Sequence, residues 1–309
     1  SADTDLAIAA KFAEVINNPT KYPLFTSDAD NLAFVYNSQY NKYSTNPDNF
    51  GFDATRYNMS STYLGNLTTL KDPRTFFVAE PAAALVASGK LPNSYDAFAG
   101  AGAGEDLATM SKNAGDGKYS FINRKRYYQT YTAETTTQVG YQELCFNMAE
   151  AAHRGWITGQ SAETWYQNGI KASQAFYGIK EGANTVTFQK PGGTLAESVN
   201  YAVDYKYAEY YAQATVKYAG VGSTGLNQIL LQKYLAMYQN SGAEGYYNWR
   251  RTGVPTFHIG AGTGNSNRVA LRYQYPNSER AVNKINVEAA IASQFGGSDD
   301  INAKMWIIK

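Results

Sequence analysis

The chain has one cysteine, Cys145, and two histidines, His153 and His258, in 309 residues. A single thiol excludes an intrachain disulfide and a thiolate metal cluster. The setting Glu143-Leu144-Cys145-Phe146 reads as helical and apolar, so a buried, inert thiol is expected rather than a nucleophile. Metal and triad chemistry both lean on imidazole. Here His153 falls at an expected helix end, where it can meet the last carbonyls, and His258 shows no partner at useful spacing. Excess charge is also lacking. With 27 Lys and Arg against 26 Asp and Glu, nothing is left over to neutralise phosphates, and nucleic acid is not an expected partner. No apolar run approaches the ~20 residues that cross a bilayer. The chain starts Ser1-Ala2-Asp3 without methionine or signal segment, which reads as a processed form or a fragment.

What remains suits a folded protein: 44% hydrophobic and 17% charged residues, with enough chain for one large core. Tyrosine is the outlier, at 26 against 14 Phe and 4 Trp. A tyrosine offers a flat apolar face and a hydroxyl together. Abundant Tyr, Asn, Gln, Ser and Thr with little charge is the chemistry of a neutral polar ligand. Many of these tyrosines are also expected to pack between helices with their hydroxyls at the rim.

The spacing predicts a mainly α protein. Residues 5–17 look helical, with Leu6, Ala9, Ala10, Ala13 and Ile16 on one stripe. From 25 to 140 the period weakens, and Gly, Pro, Asn, Asp and Ser recur every few residues. Long loops with short helices and small strands are expected there, carrying Tyr36, Tyr40, Tyr43, Phe50, Phe52, Tyr57 and Tyr63. Over 141–178 two helices, with Ser161 capping the second, form an antiparallel hairpin of tetratricopeptide type. No second copy recurs at fixed period. Thr194-Leu195-Ala196-Glu197 is a capping-box pattern, which predicts a third helix running through Val199, Ala202, Val203 and Tyr210 to Tyr218. Leu226–Asn240 and Arg280–Phe295 complete the set.

Candidate chemical motifs are weak. Gly100-x-Gly102-x-Gly104 lacks a phosphate loop's lysine and serine and is followed by Glu105 and Asp106. Asp28-Ala29-Asp30-Asn31 lacks the glycine and glutamate of a calcium loop. Asp299-Asp300 could hold a hard cation, but capping before Ile301 is the simpler account. A glycosidase needs two carboxylates flanking the bond. Some pair can be drawn from 26 acidic residues, yet none sits in a distinctive motif. Arg250 and Arg251 are adjacent, so on a helix they face apart and do different jobs, one of them bidentate to a carboxylate or carbonyls of the fold.

Several blocks occur in a fixed order: Lys71-Asp72-Pro73-Arg74, the stretch Tyr141 to Trp156, Gln232-Lys233-Tyr234, Tyr246-Tyr247-Asn248-Trp249-Arg250-Arg251-Thr252-Gly253-Val254-Pro255, Tyr275-Pro276-Asn277-Ser278-Glu279-Arg280, and Gly297-Ser298-Asp299-Asp300 through Trp306. Together they resemble the SusD/RagB-like family, in particular its SusD-like 2 branch. The resemblance implies one domain over 1–309, a helical scaffold with tetratricopeptide-like hairpins and a loop-rich ligand region with little β. It covers the C-terminal two thirds or so of the family architecture. In place of the family's acidic residue near 248 stands Asn248, which puts a local Glu–Arg pair in doubt. The resemblance further implies a nutrient-binding lipoprotein on the extracellular face of the outer membrane, anchored by an N-terminal lipid. Its partner would be a SusC-like TonB-dependent transporter and its ligand an oligosaccharide, or alternatively a peptide. No cofactor and no metal is implied. The loop aromatics Tyr40, Tyr43, Phe50 and Tyr57 are the expected ligand contacts.

Overall fold

Periodicity places the first clear elements, and the computed structural model, which describes residues 7–53 and 56–308, bears it out where the period is longest. In chain order the elements are α1 (Ile8–Asn17), β1 (Leu32–Phe34), α2 (Phe50–Asp53), α3 (Ser61–Thr69), α4 (Thr75–Val78), α5 (Ala83–Ala87), α6 (Leu107–Gly115), α7 (Arg124–Tyr128) and β2 (Thr136–Val139). Then follow α8 (Tyr141–His153), α9 (Ala162–Phe176), β3 (Gly182–Gln189), β4 (Ser198–Tyr205), α10 (Tyr207–Ala212), α11 (Ser223–Ala236), α12 (Glu244–Thr252), α13 (Asn277–Val282) and α14 (Lys284–Phe295). Asp5 and Leu6 of the expected first helix lie outside the described residues.

Helices α8 and α9 form the predicted hairpin. Ser161 accepts from the Thr164 N–H as N-cap, and Tyr166, Ile170, Ser173 and Tyr177 are buried on one face. The region 25–140 is irregular as expected. Its helices are short, and β1 pairs antiparallel with β2.

The predicted third helix is wrong. Residues 198–205 are strand β4, paired along its whole length with β3. Val199, Ala202 and Val203 do fit a helical period. Val199, Tyr201, Val203 and Tyr205 fit period 2 as well, and Thr185, Val186, Thr187 and Phe188 supply a β-branched partner strand. Half of the capping box forms nonetheless, inside the hairpin turn: the Glu197 carboxylate accepts from the Thr194 N–H at 2.9 Å and its hydroxyl at 3.2 Å, while the Glu197 N–H donates to Thr194 O instead of the side chain. A lone hairpin is marginal in water. This one packs Phe188 on Phe98 and is tied down by Asn123 Nδ2 donating to Thr187 O and the Gln189 N–H donating to Glu80.

Buried polar locks join distant segments. Asp72 and Arg74 are fully buried, and Asp72 accepts from Arg74 Nε at 2.9 Å and Nη2 at 2.7 Å. The same guanidinium donates to Ser173 of α9 and Gln232 of α11, and Tyr210 of α10 donates to Asp72 at 2.5 Å. Thus one richly hydrogen-bonded ion pair knots the turn between α3 and α4 to α9, α10 and α11. A second lock has Arg251 bidentate to Glu150 at 2.6 and 2.7 Å, with Asn248 accepting from the same guanidinium. The carboxylate comes from α8, so Asn248 leaves the arginine paired. Arg250 instead donates to Leu271 O and lies over Tyr246 and Tyr247, which is the division of labour expected of adjacent residues. At the C-terminus, Asp299 ion-pairs with Arg272 and Arg280 and accepts from the Tyr275 N–H. Asp299 is therefore an arginine partner, while Asp300 accepts from the Asn302 N–H as a local cap.

The glycine-rich stretches have a packing role. Gly262 N–H donates to Gly104 O at 3.0 Å, and a Cβ at Gly104 or Gly262 would run into the opposite backbone. The loops 100–105 and 259–263 meet main chain to main chain, which only glycine permits.

Candidate functional site

Side-chain hydrogen bonds replace secondary structure in the loop that opens the site. Asn46 Nδ2 donates to Tyr43 O, Asn49 Nδ2 donates to Ser44 O, and the Asn46 N–H donates to Asn49 Oδ1. Asn46-Pro47-Asp48-Asn49 thus becomes a self-bonded turn. Thr45 Oγ1 donates to Tyr127 O, and the Tyr43 N–H donates to Tyr131 O, so the loop is fixed to α7 and the segment after it. Below it, the Met59 N–H donates to Ser120 O and the Ala101 N–H to Met59 O, which holds the floor.

Between loop and floor lies a cavity of about 590 Å³, within the usual range for small-ligand sites. Phe52 and Tyr57 are its exposed rings, 64% and 53% accessible. The Arg56 guanidinium stacks 3.9 Å from the Phe52 ring centroid. Ser44, Thr45, Asn49, Asn58, Ser60 and Gln239 add hydroxyls and amides, and Tyr63, Ile122 and Tyr238 close the back. Asn58 Oδ1 is buried with no hydrogen-bond partner among the described residues. Among the described residues Asp53 is the single carboxylate in the lining.

The sequence-expected contacts separate here. Tyr57 lines the cavity. Tyr43 is 3% exposed, packed edge-on to Tyr36 and parallel to Tyr127, so the expectation of a ligand-facing ring is corrected: its faces are already covered. Phe50 is half-buried against Tyr128 and lies outside the lining. Tyr40 is 89% exposed and also outside it. The reading from sequence singled out neither Phe52 as a contact nor the amides of Asn49 and Asn58. Phe52 lies two residues from Phe50, and only the short turn of α2 settles which ring faces out.

Behind the cavity the rings form a continuous row. Phe34, Tyr36, Tyr43, Tyr127, Tyr238 and Tyr63 follow one another at centroid separations of 4.3–6.4 Å. Burial pushes the Tyr43, Tyr63, Tyr127 and Tyr238 hydroxyls well above the usual tyrosine range, so this wall stays neutral.

Other titratable groups are structural. Burial pushes the Cys145 thiol up to about 12, as expected of an inert cysteine. His153 is held below the usual imidazole range, first by burial and then by Arg154. Its Nδ1 meets the Tyr218 hydroxyl at 2.7 Å, and this bond replaces the expected contact with helix carbonyls. Asp30 closes a capping box with Ser27. A second cavity of about 450 Å³ lies between the β3–β4 turn and α5. At its edge burial pushes Glu80 up to about 7, against hydrogen bonds from the Arg124 and Gln189 N–H groups. Among the described residues there is no cluster of metal-ligating side chains, and no helix is long and apolar enough to cross a membrane.

Comparison with solved structures finds the same architecture. A SusD homologue from Bacteroides fragilis NCTC 9343 is 28% identical with a TM-score of 0.83, covering 100% of this chain and 63% of that one. An outer-membrane protein from Bacteroides vulgatus ATCC 8482, for which a nutrient-binding role has been suggested, is 30% identical with a TM-score of 0.75, covering 98% and 62%. A chitin-binding protein, 23% identical with a TM-score of 0.68 over 94% of this chain and 57% of its own length, shares the fold. The chain thus spans about three fifths of the length of these relatives. No curated protein matches it. The sequence pattern of the SusD-like 2 family, described as starch-binding and associating with the outer membrane, matches residues 1–276, and the chain belongs to that family.

Proposed function

We propose that this protein captures oligosaccharide at the bacterial surface without breaking it, and passes it to a SusC-like TonB-dependent transporter. The observation that carries this reading is the Phe52/Tyr57 cavity, in which two accessible rings stand among neutral amides and hydroxyls. Sugar C–H faces pack on aromatic rings, and amides read the hydroxyls. A glycosidase needs two carboxylates about the scissile bond, whereas among the described residues Asp53 alone lines this site. The family's description as starch-binding and the chitin-binding relative support a glycan over a peptide. Attachment to the outer membrane through a lipid at the N-terminus belongs to the same proposal.

A few ring contacts of about 0.5–1.5 kcal/mol each, less ordering costs, give a dissociation constant on the order of µM to mM. Titration calorimetry with neutral oligosaccharides and with a peptide mixture tests the reading, alongside an assay for new reducing ends. Heat with glycans and no new ends is expected. Heat with peptides only, or turnover of any glycan, defeats it.

A further inference from the structure

The second cavity, of about 450 Å³, differs in kind from the first. Neighbouring residues part between them: Ile122 lines the first and Phe121 the second, as successive side chains of an extended segment do. One wall is α5 with its flanking turns, which supply Pro81, Ala83, Val86, Ala87 and Pro92. The other is the β3–β4 hairpin, where Phe188 and Tyr201 lie 5.6 Å apart between ring centroids. Both walls are bonded in place. The Glu80 N–H donates to Phe121 O at 2.8 Å and the Ala84 N–H to Gly117 O at 2.9 Å. Asn123 Nδ2 holds the hairpin through Thr187 O. A cavity so fixed leaves little ordering cost for a ligand to meet, and its size falls within the usual range for small-ligand sites.

Three charged residues stand in this apolar lining. Lys190 is exposed at the hairpin turn and pairs with Glu197. Glu80 and Arg124 are buried, 7% and 3% exposed. Glu80 accepts from the Arg124 and Gln189 N–H groups at 2.6 and 3.0 Å, one on each oxygen, so both oxygens keep a lone pair. The Arg124 guanidinium lies 4.6 Å from the Phe121 ring centroid. A bound anion would meet Glu80 and a bound cation would meet Arg124, so net charge on a ligand is penalised either way. Sugar hydroxyls would be left unpaired against prolines, alanines and Val86. A flat apolar ring suits those surfaces, and a single hydroxyl suits Glu80. Burial has pushed this carboxyl up to about 7, so near neutral pH it meets a hydroxyl as acceptor or as donor. We propose that this cavity is a second ligand site, which takes an uncharged aromatic alcohol of one or two rings with its hydroxyl on Glu80. The site is independent of the glycan reading of the first cavity.

The test is a fluorescence titration of the whole chain with 2-naphthol at neutral pH, beside the anion 2-naphthalenesulfonate, the cation 2-naphthylmethylammonium and plain naphthalene. Saturable binding of 2-naphthol is expected, roughly tenfold tighter than either ion. Naphthalene, which lacks the hydroxyl, is expected to bind about fivefold more weakly than 2-naphthol. Ala87→Trp and Pro191→Trp fill the cavity from opposite walls, both at exposed positions. Each should lower the affinity for 2-naphthol roughly tenfold and leave the thermal melt unchanged, and the pair guards against one variant that misfolds. Phe52→Ala should keep wild-type affinity, because 2-naphthol does not use the first cavity. No saturable binding, an ion or naphthalene bound as tightly as 2-naphthol, wild-type affinity in a folded tryptophan variant, or a loss in Phe52→Ala each overturns the site. None of these results bears on calorimetry with oligosaccharides, so the two readings fail separately.

Discussion

The segment 25–140 and the segment 141–309 reach order by opposite means. In the second, helical spacing dominates: α9 buries one broad face, while α8 and α11 are buried around most of their circumference. In the first, Asn46, Asn49 and Thr45 bond main-chain groups one at a time, and rings stack on rings. The helical part is cheap to specify and tolerant. The loop part depends on individual bonds, and it carries the candidate cavity because a bonded loop can present rings outward where a helix would bury them. Where the two meet, the Asp72–Arg74 pair makes each part depend on the other.

That junction gives the largest expected effect. Arg74→Ala leaves Asp72 charged, buried and unpaired, and a loss of about 3–5 kcal/mol is expected in urea unfolding. A loss under about 1 kcal/mol would show that the two segments stand independently. Next comes Glu80, which ties β3 to the loop segment. Its folded pKa, about 7, lies above the free carboxylate value of 4.5, so the folded state binds the proton more tightly. Its contribution is most favourable below pH 4.5 and declines as pH rises towards 7, by on the order of 2–3 kcal/mol. Because His153 works in the opposite direction, the quantity to measure is the difference between wild type and Glu80→Gln. That difference should change between pH 5 and 7.5 and level off above; a flat difference removes the strained carboxylate from the account.

The cavity should respond more mildly. Tyr57→Ala and Phe52→Ala are each expected to weaken glycan binding by about 0.5–1.5 kcal/mol while moving stability by less than about 0.5 kcal/mol. Unfolding at either site would place those rings with the scaffold. The smallest effect belongs to Tyr40→Ala, with stability and affinity both within error of wild type, because the ring touches neither core nor cavity. Calorimetry and thermal melts on the three variants sort them.

The α8–α9 hairpin was legible because Tyr166, Ile170, Ser173 and Tyr177 share one helical face and Ser161 marks its start. Asp72-Pro73-Arg74 and the Arg250-Arg251 block stood out as motifs. Their partners did not, since Ser173, Gln232 and Glu150 lie far away in sequence and carry no local sign. The β3–β4 hairpin was missed because 198–205 satisfies both periods, and only the paired strand at 182–189 decides. Tyr40 and Tyr43 looked alike. Tyr40 lies inside the chain reversal between Asn37 and Asn41, where Asn37 Oδ1 accepts from the Gln39 and Tyr40 N–H groups and the ring is left in solvent, whereas Tyr43 follows the reversal and is turned inward.

The row of rings from Phe34 to Tyr63 behind the cavity is neutral from end to end. Ionic strength weakens attraction between charges over distances of about 8–10 Å at ordinary salt, but it has little hold on neutral rings packed on one another. A wall built this way is expected to keep its shape equally in dilute and in briny surroundings.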